Sequence, residues 1–358
     1  MNSQRGSRKV GIYRTRDPNG RDLGVNAAYE KILADNGLEF VRLDISAADF
    51  WETVRGLDLF IMRWNHWDSA GGEALDLLPV LEKKLRIPCF PDLNTCWHYD
   101  DKIRQYLLLK PLGYPMAESY IFRDRSAALR WTRRADYPVV FKLRGGAGSQ
   151  NVILVENPAM GERLIKRMFG RGVLPEKFRH PGSVRFRHFN LGREIHHLAG
   201  NIYRRSRGLD ASPFWRREKN YVLFQKYYPG NRFDTRVTVI GERAFVYRRG
   251  VRPGDFRASG SGRLDYSLEG VDLRCVEIAL KISREMKFQS MAYDFLLTPG
   301  NRPVICEISY TYVSRYIFDC PGYFDSSLRF REGHFWPEYL HLVDALRLPD
   351  LRQPEMDY

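Results

Sequence analysis

Two acidic residues, Asp294 and Glu307, stand where they could hold a metal ion between them. Each belongs to a run rich in apolar residues, and Gly300–Asn301 between the runs suits a two-residue hairpin turn. With that turn, Asp294 lies directly opposite Glu307, and the alternation of side chains puts Ser309 on the same face as Glu307. Adjacent carboxylates repel unless a cation lies between them, and carboxylate oxygens suit Mg²⁺. A half-exposed hairpin with two solvated acids is the alternative that this stretch alone leaves open.

The composition is that of a globular protein with an excess of positive charge. Of the 358 residues, 44% are hydrophobic and 28% are charged, and the formal net charge is +14. This excess predicts an anionic partner such as a nucleotide, a nucleic acid, a phosphorylated sugar or an acidic polymer. No apolar run approaches the roughly 20 residues of a membrane helix, and the basic N-terminus does not resemble a secretory signal. Five widely spaced cysteines predict reduced thiols in a cytoplasmic protein, without disulfides or a zinc site.

The first part of the chain alternates predicted strands with predicted helices. Strands are expected at 9–15, 38–45, 57–64 and 87–91, and helices at 25–36 and 72–84. This alternation predicts a small open parallel sheet, in which ligands gather at the carboxyl ends of the strands. Those ends carry the polar side chains Arg14, Arg16, Arg63, Asn65 and His66. Together they suit an anionic small substrate, although each one singly could be a solvated loop residue.

A glycine-rich loop, Gly145–Ser149, joins two further predicted strands, and Lys142 lies just before it. Glycines let backbone amides turn towards an anion, so the loop could cradle phosphates. Its strand–loop–strand setting and its spacing differ from those of a P-loop. A surface hairpin loop is the alternative.

The positive charge is concentrated in residues 162–219, which contain 15 basic and 5 acidic side chains. Aromatic residues lie among the arginines, and the segment has no clear periodicity. We expect this basic insert to bind an acidic acceptor, either a polypeptide or a saccharide. Two alternatives remain: an arginine-rich excursion that covers hydrophobic surface with its stems, or a nucleic-acid-binding surface, although no recognised nucleic-acid motif is present.

Several short motifs follow one another in an order that resembles the ATP-grasp superfamily. They are Lys102 at a helix start, Lys142 before the glycine loop, Phe224–Tyr228, Asp234–Arg236, Arg248–Arg249, Asp255–Ser259, Asp294 and Glu307–Ser309. The chain is most similar to the branch of glutathione-synthetase-like and ribosomal-protein-glutamate-ligase-like enzymes. The resemblance implies an α/β (α+β) fold in which two α+β lobes grip ATP, preceded by a small open parallel-sheet domain. It places the front domain at 1–98 and the ATP-grasp domain at 99–350, with lobes at 99–224 and 225–350.

The resemblance also implies roles for individual residues. The nucleotide would be contacted by Lys102, Lys142, Gly145, Gly146, Gly148, Ser149, Gln225, Lys226, Tyr227, Asp234, Arg257, Ala258 and Ser259. The transferring phosphoryl group would be neutralised by catalytic arginines, namely Arg236 with one or both of Arg248 and Arg249. One or two Mg²⁺ ions would be held by Asp294, Glu307 and Ser309.

Strand register separates the two neighbouring arginines. A two-residue turn at Gly241–Glu242 would place four side chains on one face of the sheet, namely Asp234, Arg236, Tyr247 and Arg249. Arg248 would then lie on the opposite face. The family resemblance favours Arg248, so both arginines remain candidates, and exposed strand-end arginines are the alternative.

Two positions depart from the family pattern. The family usually has asparagine where this chain has Ser309, and a hydroxyl is a poorer Mg²⁺ ligand than an amide oxygen. Lys226 stands where an acidic residue is usual, which matters little if only its backbone reads the adenine edge. Cys306, beside Glu307, is expected to face the core and to take no part in the chemistry.

Together these features predict an ATP-dependent carboxylate–amine ligase. ATP would phosphorylate a small anionic carboxylate, an amine would attack the acyl phosphate, and ADP and phosphate would be released. An acidic polypeptide or saccharide could be the acceptor at the basic insert. A kinase that phosphorylates a small molecule or sugar is the alternative, because both activities use the same nucleotide-binding apparatus.

Overall fold

The computed structural model describes residues 8–15, 24–65, 70–146, 151–173, 199–200, 202–203, 206 and 217–356. These residues form three β-sheets with helices packed against them, which confirms the predicted mixed α/β architecture. Most of the basic insert lies outside the described residues, as do the candidates Arg16, His66, Gly148 and Ser149.

The first sheet forms the front domain and is parallel, with the strand order β2-β1-β3-β4. Its strands are β1 (Lys9–Tyr13), β2 (Glu39–Leu43), β3 (Leu59–Ile61) and β4 (Cys89–Phe90), and its helices are α1 (Gly24–Asp35), α2 (Phe50–Arg55), α3 (Ala70–Val80) and α4 (Leu93–Cys96). The central strands β1 and β3 are apolar and almost wholly buried, as in a parallel sheet covered on both faces. Because β1 and β3 are parallel neighbours, Arg14, Arg63 and Asn65 follow them at one edge of the sheet.

The second sheet forms the first lobe and is antiparallel, with the order β5-β8-β6-β7. Its elements are β5 (Ser119–Phe122), β6 (Val139–Lys142), β7 (Val152–Val155) and β8 (Val222–Lys226), with helices α5 (Lys102–Leu109), α6 (Arg125–Thr132) and α7 (Pro158–Met168). The helix starts follow from capping side chains: Asp101, Asp124 and Asn157 each accept a backbone N–H from the first turn of their helix.

The third sheet forms the second lobe and has seven strands, in the order β13-β12-β9-β10-β14-β15 with β11 beside β10. The strands are β9 (Phe233–Ile240), β10 (Arg243–Gly250), β11 (Leu264–Asp265), β12 (Ser290–Leu297), β13 (Pro303–Ser309), β14 (Gly322–Phe324) and β15 (Phe330–Glu332), with helices α8 (Leu273–Met286) and α9 (Ser314–Phe318). The segment 321–336, whose sequence suggests irregular structure, contains β14 and β15. Each has only three residues, too few for their alternation to stand out in the sequence.

The last helix, α10 (Pro337–Leu346), completes the front domain from the far end of the chain. Leu342 and Leu346 are buried in the same hydrophobic cluster as Ile12 and Tyr29. The core of the first sheet therefore includes side chains that lie well beyond residue 98 in the sequence.

The three sheets share their cores unequally. One continuous cluster joins apolar residues of the front domain, such as Phe60 and Met62, to residues of the second lobe, such as Val237 and Phe295. The first lobe has a cluster of its own around Phe141 and its neighbours. The front domain and the second lobe thus share one core, which Leu109 and Met116 of the first lobe also join, while the sheet of the first lobe has a core of its own.

Candidate functional site

A cavity of about 440 Å³, which we call the interlobe cavity, lies between the first and second lobes. Lys142 and Gln225 line it from the first lobe, and Asp234, Asp294 and Glu307 line it from the second. Part of its wall is apolar and includes Val140, Val152, Ala258 and Leu296. Charged groups and an apolar wall in one cleft suit a ligand with both an ionic and a flat apolar part.

The hairpin that carries the two acids differs from the predicted one at its turn. Asn301 donates its backbone N–H to the Thr298 carbonyl at 2.8 Å, and Thr298 donates to the Arg302 carbonyl at 3.0 Å. Asn301 has a φ of 54°, so the loop has three residues and ends in the left-handed region. The predicted two-residue turn at Gly300 and Asn301 is therefore wrong. It would have required Pro299 to donate an N–H to the ladder, which proline lacks.

A β-bulge restores the pairing of the acids. Phe295 pairs with Ile305, but Asp294 pairs with Glu307, so Cys306 is the extra residue. The prediction that the two acids lie opposite each other is confirmed, because the longer loop and the bulge compensate. The bulge also breaks the alternation of side chains, and Cys306 lines the interlobe cavity with Glu307. The expectation that Cys306 faces the core is wrong; burial raises the pKa of its thiol to about 12.

Four charged side chains on three neighbouring strands form an ion-pair cluster below the cavity. Arg236 donates Nε and Nη2 to the two oxygens of Asp294 at 2.6 and 2.7 Å. Arg249 donates in the same bidentate way to Asp234 at 2.8 and 2.6 Å, and its Nη2 also lies 2.7 Å from Asp294 Oδ2. Bidentate guanidinium–carboxylate pairs are among the stronger charged contacts in proteins and fix both partners in orientation.

The register of β9 and β10 explains how the cluster forms. Arg236 pairs with Tyr247, and Asp234 pairs with Arg249, as a turn at 241–242 predicts. Burial alone would raise the pKa of Asp294, but Arg236 and Arg249 hold it well below its usual range, so this carboxylate is ionised at neutral pH. Burial raises the pKa of Tyr247, so its hydroxyl keeps its proton.

Arg248 lies apart from this cluster. Its Nη2 is 2.7 Å from Asp265, and its guanidinium lies 5.3 Å from the ring centroid of Phe233. It belongs to the opposite face of β10 and lines neither of the cavities described here.

Two buried lysines reach the interlobe cavity. Lys102 Nζ lies 3.1 Å from Glu307 Oε1 and donates to the Gly146 carbonyl at 2.8 Å. Lys142, at the end of β6, is 8% exposed, and no ion pair joins it to a described residue. A buried cation without a carboxylate partner favours an anionic ligand in the cavity.

The glycine loop begins against the start of α5. Asp100 Oδ1 accepts the Gly146 N–H at 2.7 Å, and the Lys102 N–H is donated to the Arg144 carbonyl at 2.9 Å. A Cβ on Gly145 would lie 3.1 Å from Asp100 Oδ2, which is tighter than ordinary contact. The same few residues therefore hold both Lys102 and the first part of the loop.

The other predicted nucleotide contacts also line the interlobe cavity. Gln225, Lys226 and Tyr227 line it at the end of β8, and Arg257, Ala258 and Ser259 line it from the loop after β10. Arg257 forms an ion pair with Asp255 at 2.6 Å. Lys226 is exposed, so only its backbone is well placed to face a ligand.

The carboxylates fit a magnesium ion, and Ser309 is placed differently. Asp294 and Glu307 enter the cavity from adjacent strands, and within the described part of the chain no cluster of three His, Cys, Asp or Glu side chains occurs. One or two carboxylates, completed by phosphate oxygens and water, are what Mg²⁺ usually takes in nucleotide sites. Ser309 Oγ instead donates to the Thr311 carbonyl at 2.7 Å, and the residue lines another cavity.

This second cavity, of about 470 Å³, lies between the front domain and the second lobe. Arg63, Trp64 and Asn65 line it from the loop after β3. Arg63 and Asn65 are two of the strand-end side chains that the sequence predicts to face an anionic substrate. From the second lobe it is lined by Arg236, Tyr247 and Arg249. Glu307 and Ser259 line both cavities, so the two spaces adjoin.

Sequence reasoning missed the aromatic wall of the second cavity. Trp64, Tyr99, Tyr312 and Tyr316 line it, and they come from three separate segments of the chain. Only Tyr312 and Tyr316 are neighbours in the sequence, so a single sequence gives no signal that the three segments meet in one wall. The face of β10 that carries Tyr247 was the only part of it that strand register could indicate.

A buried polar network fixes Arg63 at the wall. Its Nη1 lies 3.2 Å from Glu338 Oε1, which also accepts from Ser314 Oγ at 2.5 Å. On the same helix, His341 Nδ1 lies 2.8 Å from the Tyr29 hydroxyl, and its Nε2 lies 2.9 Å from the Tyr312 hydroxyl. Burial lowers the pKa of His341 well below its usual value, so the ring is neutral. Helix α10 thus positions a cation of the front domain.

No protein-family model and no curated protein matches the chain. Solved structures do: D-cycloserine synthetase is 13% identical with a TM-score of 0.54, covering 95% of this chain and 99% of its own. N5-carboxyaminoimidazole ribonucleotide synthetase from Thermotoga maritima is 13% identical with a TM-score of 0.56, covering 96% and 76%. The biotin carboxylase domain of Hydrogenobacter thermophilus 2-oxoglutarate carboxylase, in complex with MgADP and bicarbonate, is 13% identical with a TM-score of 0.55, covering 94% and 69%. Within the described residues, no helix is both long and apolar enough to cross a membrane.

Proposed function

We propose, since this chain has the ATP-grasp fold, that it is an ATP-dependent carboxylate–amine ligase. ATP phosphorylates a carboxylate, an amine attacks the acyl phosphate to form an amide, and ADP and phosphate are released. The observation that carries this proposal is the pair of adjoining cavities with Glu307 in the wall of both. One holds the charges a nucleotide needs, and the other can hold a second substrate beside its terminal phosphate.

The interlobe cavity is the ATP site in this proposal. Lys102 and Lys142 meet the phosphates as compact point charges, and Gly146, at the start of the glycine loop, lines the cavity beside them. The ends of β8 and of the loop at Arg257–Ser259 supply the wall for the adenine and the ribose. Asp294 and Glu307 hold Mg²⁺, which when bound neutralises phosphate charge and orients the nucleotide.

The arginine cluster lies at the junction of the two cavities. Arg236 and Arg249 line the second cavity, while their partner Asp294 lines the interlobe cavity. A carboxylate in the second cavity and a phosphoryl group arriving from the interlobe cavity would meet beside these two guanidinium groups. They are already oriented by bidentate contacts, so they can stabilise the developing negative charge without reorganising.

The substrates are proposed only by class. The second cavity has room for a small carboxylate, and its cations favour an anion. An acidic polypeptide or saccharide at the basic insert would be the acceptor, as the charge of residues 162–219 suggests. Two of the similar structures, D-cycloserine synthetase and the ribonucleotide synthetase, are named as synthetases. These names agree with the proposal that this chain uses ATP to form a bond.

The test is to incubate the protein with ATP, Mg²⁺ and pooled amino acids and small carboxylic acids, and to follow the products by mass spectrometry. We expect ADP, phosphate and a product whose mass is that of two substrates less water. A product heavier by one phosphoryl group would identify a kinase, and AMP with pyrophosphate would contradict the acyl-phosphate route. Lys142→Met should abolish turnover, whereas the matched control Lys31→Met, on the exposed side of α1, should not.

A further inference from the structure

Tyr247 carries a buried hydroxyl that the protein leaves without a partner. The residue is 1% exposed, and its hydroxyl has no hydrogen-bond partner among the described residues. Leaving a buried hydroxyl unpaired is costly, so such groups in folded proteins usually meet a ligand or water. Tyr247 also lines the second cavity, where a ligand could supply the missing acceptor.

The neighbours of Tyr247 indicate the chemistry of that acceptor. Tyr247 pairs across the sheet with Arg236 and lies two residues from Arg249, so all three side chains are on one face. Both arginines are held by Asp234 and Asp294 and do not turn to the hydroxyl. The protonated hydroxyl of Tyr247 lies on the same face as two guanidinium groups, and all three are hydrogen-bond donors, which suits a carboxylate oxygen as the acceptor.

We propose that the Tyr247 hydroxyl donates a hydrogen bond to the carboxylate substrate bound in the second cavity, beside Arg236 and Arg249. The inference rests on the proposed function and adds to it a substrate-binding residue and the cavity in which the carboxylate, rather than the amine, lies. The aromatic wall at Trp64, Tyr99 and Tyr316 surrounds the rest of a small carboxylic acid.

Tyr266 provides a matched control. Its hydroxyl is also buried without a partner among the described residues, and its ring centroid lies 5.6 Å from that of Tyr247. Tyr266 does not line the second cavity. Replacing either tyrosine with phenylalanine removes one oxygen and preserves the ring, so only the substitution at 247 should affect substrate binding.

The experiment traps the acyl phosphate with hydroxylamine, which replaces the unknown amine. Hydroxylamine nitrogen attacks the acyl carbon and phosphate leaves, giving a hydroxamate that ferric ion colours. The probes are the proteinogenic amino acids, succinate, citrate and benzoate, each with MgATP. For the acid that wild type uses, we expect Tyr247→Phe to raise the KM about tenfold, the usual effect of losing one hydrogen bond to a charged group. The KM for ATP should not change, and Tyr266→Phe should behave as wild type.

Three outcomes distinguish a failure of the Tyr247 inference from a failure of the proposed function. A raised carboxylate KM in Tyr247→Phe alone supports the inference. Hydroxamate formation with the same carboxylate KM in wild type and Tyr247→Phe overturns it and leaves the proposed function standing. No hydroxamate from wild type with any probe contradicts the proposed function and the inference together. An unfolding midpoint for Tyr247→Phe that equals or exceeds that of wild type excludes misfolding as the cause, because the variant only loses an unpaired hydroxyl.

Discussion

The interlobe cavity and the second cavity share Glu307 and Ser259, yet their walls are built in different ways. Most of the wall of the second cavity belongs to the front domain and the second lobe, which have one continuous core, and Tyr99 and Asp100 at the start of the first lobe complete it. The walls of the interlobe cavity belong to the first and second lobes, and the first lobe has its own core. Bodies with separate cores can move relative to each other, whereas a shared core resists such motion. We therefore expect a preformed second cavity and an interlobe cavity that opens and closes.

Few polar contacts bridge the interlobe cavity. The ion pair between Lys102 and Glu307 joins α5 to β13 at its inner end. At its base, Ala117 donates its N–H to the Ile305 carbonyl at 2.8 Å, and Ile305 donates to the Pro115 carbonyl at 2.7 Å. The bulged part of β13 is therefore one point where the first lobe is attached, close to one of the two acids, and the Tyr114 hydroxyl, which donates to Glu285 at 2.7 Å, is another. We therefore expect a change in lobe position to displace Glu307 before the other side chains of the cavity.

The largest expected effect comes from Asp294→Asn, because Asp294 serves both cavities. The substitution removes one of the two proposed Mg²⁺ ligands and the shared partner of Arg236 and Arg249. We expect kcat/KM to fall by about 10³-fold, as when a preorganised charge at a reacting centre is lost. Steady-state release of phosphate measures this fall, and circular dichroism checks the fold. Asp265→Asn, which removes the partner of Arg248, should retain nearly full activity.

A comparison of Arg249→Gln with Arg248→Gln tests the assignment by strand face. Arg249 is 6% exposed, and its loss leaves Asp234 and Asp294 with less compensation, so the free energy of unfolding should fall by about 3–5 kcal/mol. Arg248 faces Asp265, whose side chain is 51% exposed, and its loss should cost under about 1 kcal/mol. Urea unfolding measures both values. If both variants lose the same small amount of unfolding free energy, the ion-pair cluster contributes little to stability. Stability would then give no reason to assign the buried role to Arg249 and not to Arg248.

More of the interlobe cavity than of the second cavity could be predicted from the sequence. The lysines, glycines and acids of the proposed ATP site follow one another in an order that resembles the ATP-grasp superfamily, and the 241–242 turn alone places Arg236 and Arg249 on one face. The turn of the β12–β13 hairpin could not be predicted, because the loop has one residue more than expected and a bulge at Cys306 on β13 compensates for it. The second cavity depends on contacts between distant segments, such as Arg63 with Glu338, for which one sequence gives no pattern.

The pH dependence of stability should report on Asp100, which lines the second cavity and holds the glycine loop. Burial raises the pKa of Asp100 to about 7, although Lys102 and the Gly146 N–H act to lower it. The folded state then binds more protons than the unfolded state between about pH 4 and 7, so this group lowers stability as pH rises through that window. We expect Asp100→Asn to raise the free energy of unfolding by on the order of 2 kcal/mol at pH 8.

Near pH 4, Asp100→Asn should change the free energy of unfolding by less than about 1 kcal/mol, because the wild-type carboxyl is then protonated in the folded state and about half protonated in the unfolded state. Unfolding in urea at pH 4 and pH 8 makes this comparison. The asparagine oxygen can still accept the Gly146 N–H, so the loop contact at 2.7 Å need not be lost. A stability gain of equal size at both values of pH would show that ionisation of Asp100 is not its cause.

The smallest expected effect tests whether Ser309 belongs to the interlobe cavity or to the second cavity. The family resemblance makes it the third metal position, but its Oγ donates to the Thr311 carbonyl and the residue lines the second cavity. On this geometry, Ser309→Ala should change the Mg²⁺ concentration for half-maximal phosphate release by less than about twofold, since the carboxylates and phosphates provide the ligands. Glu307→Gln should raise that concentration strongly, because it weakens a ligand on the same strand. If the two variants raise the Mg²⁺ requirement alike, Ser309 must turn from Thr311 to the metal when the first lobe closes, and the second cavity is then less rigid than its shared core implies.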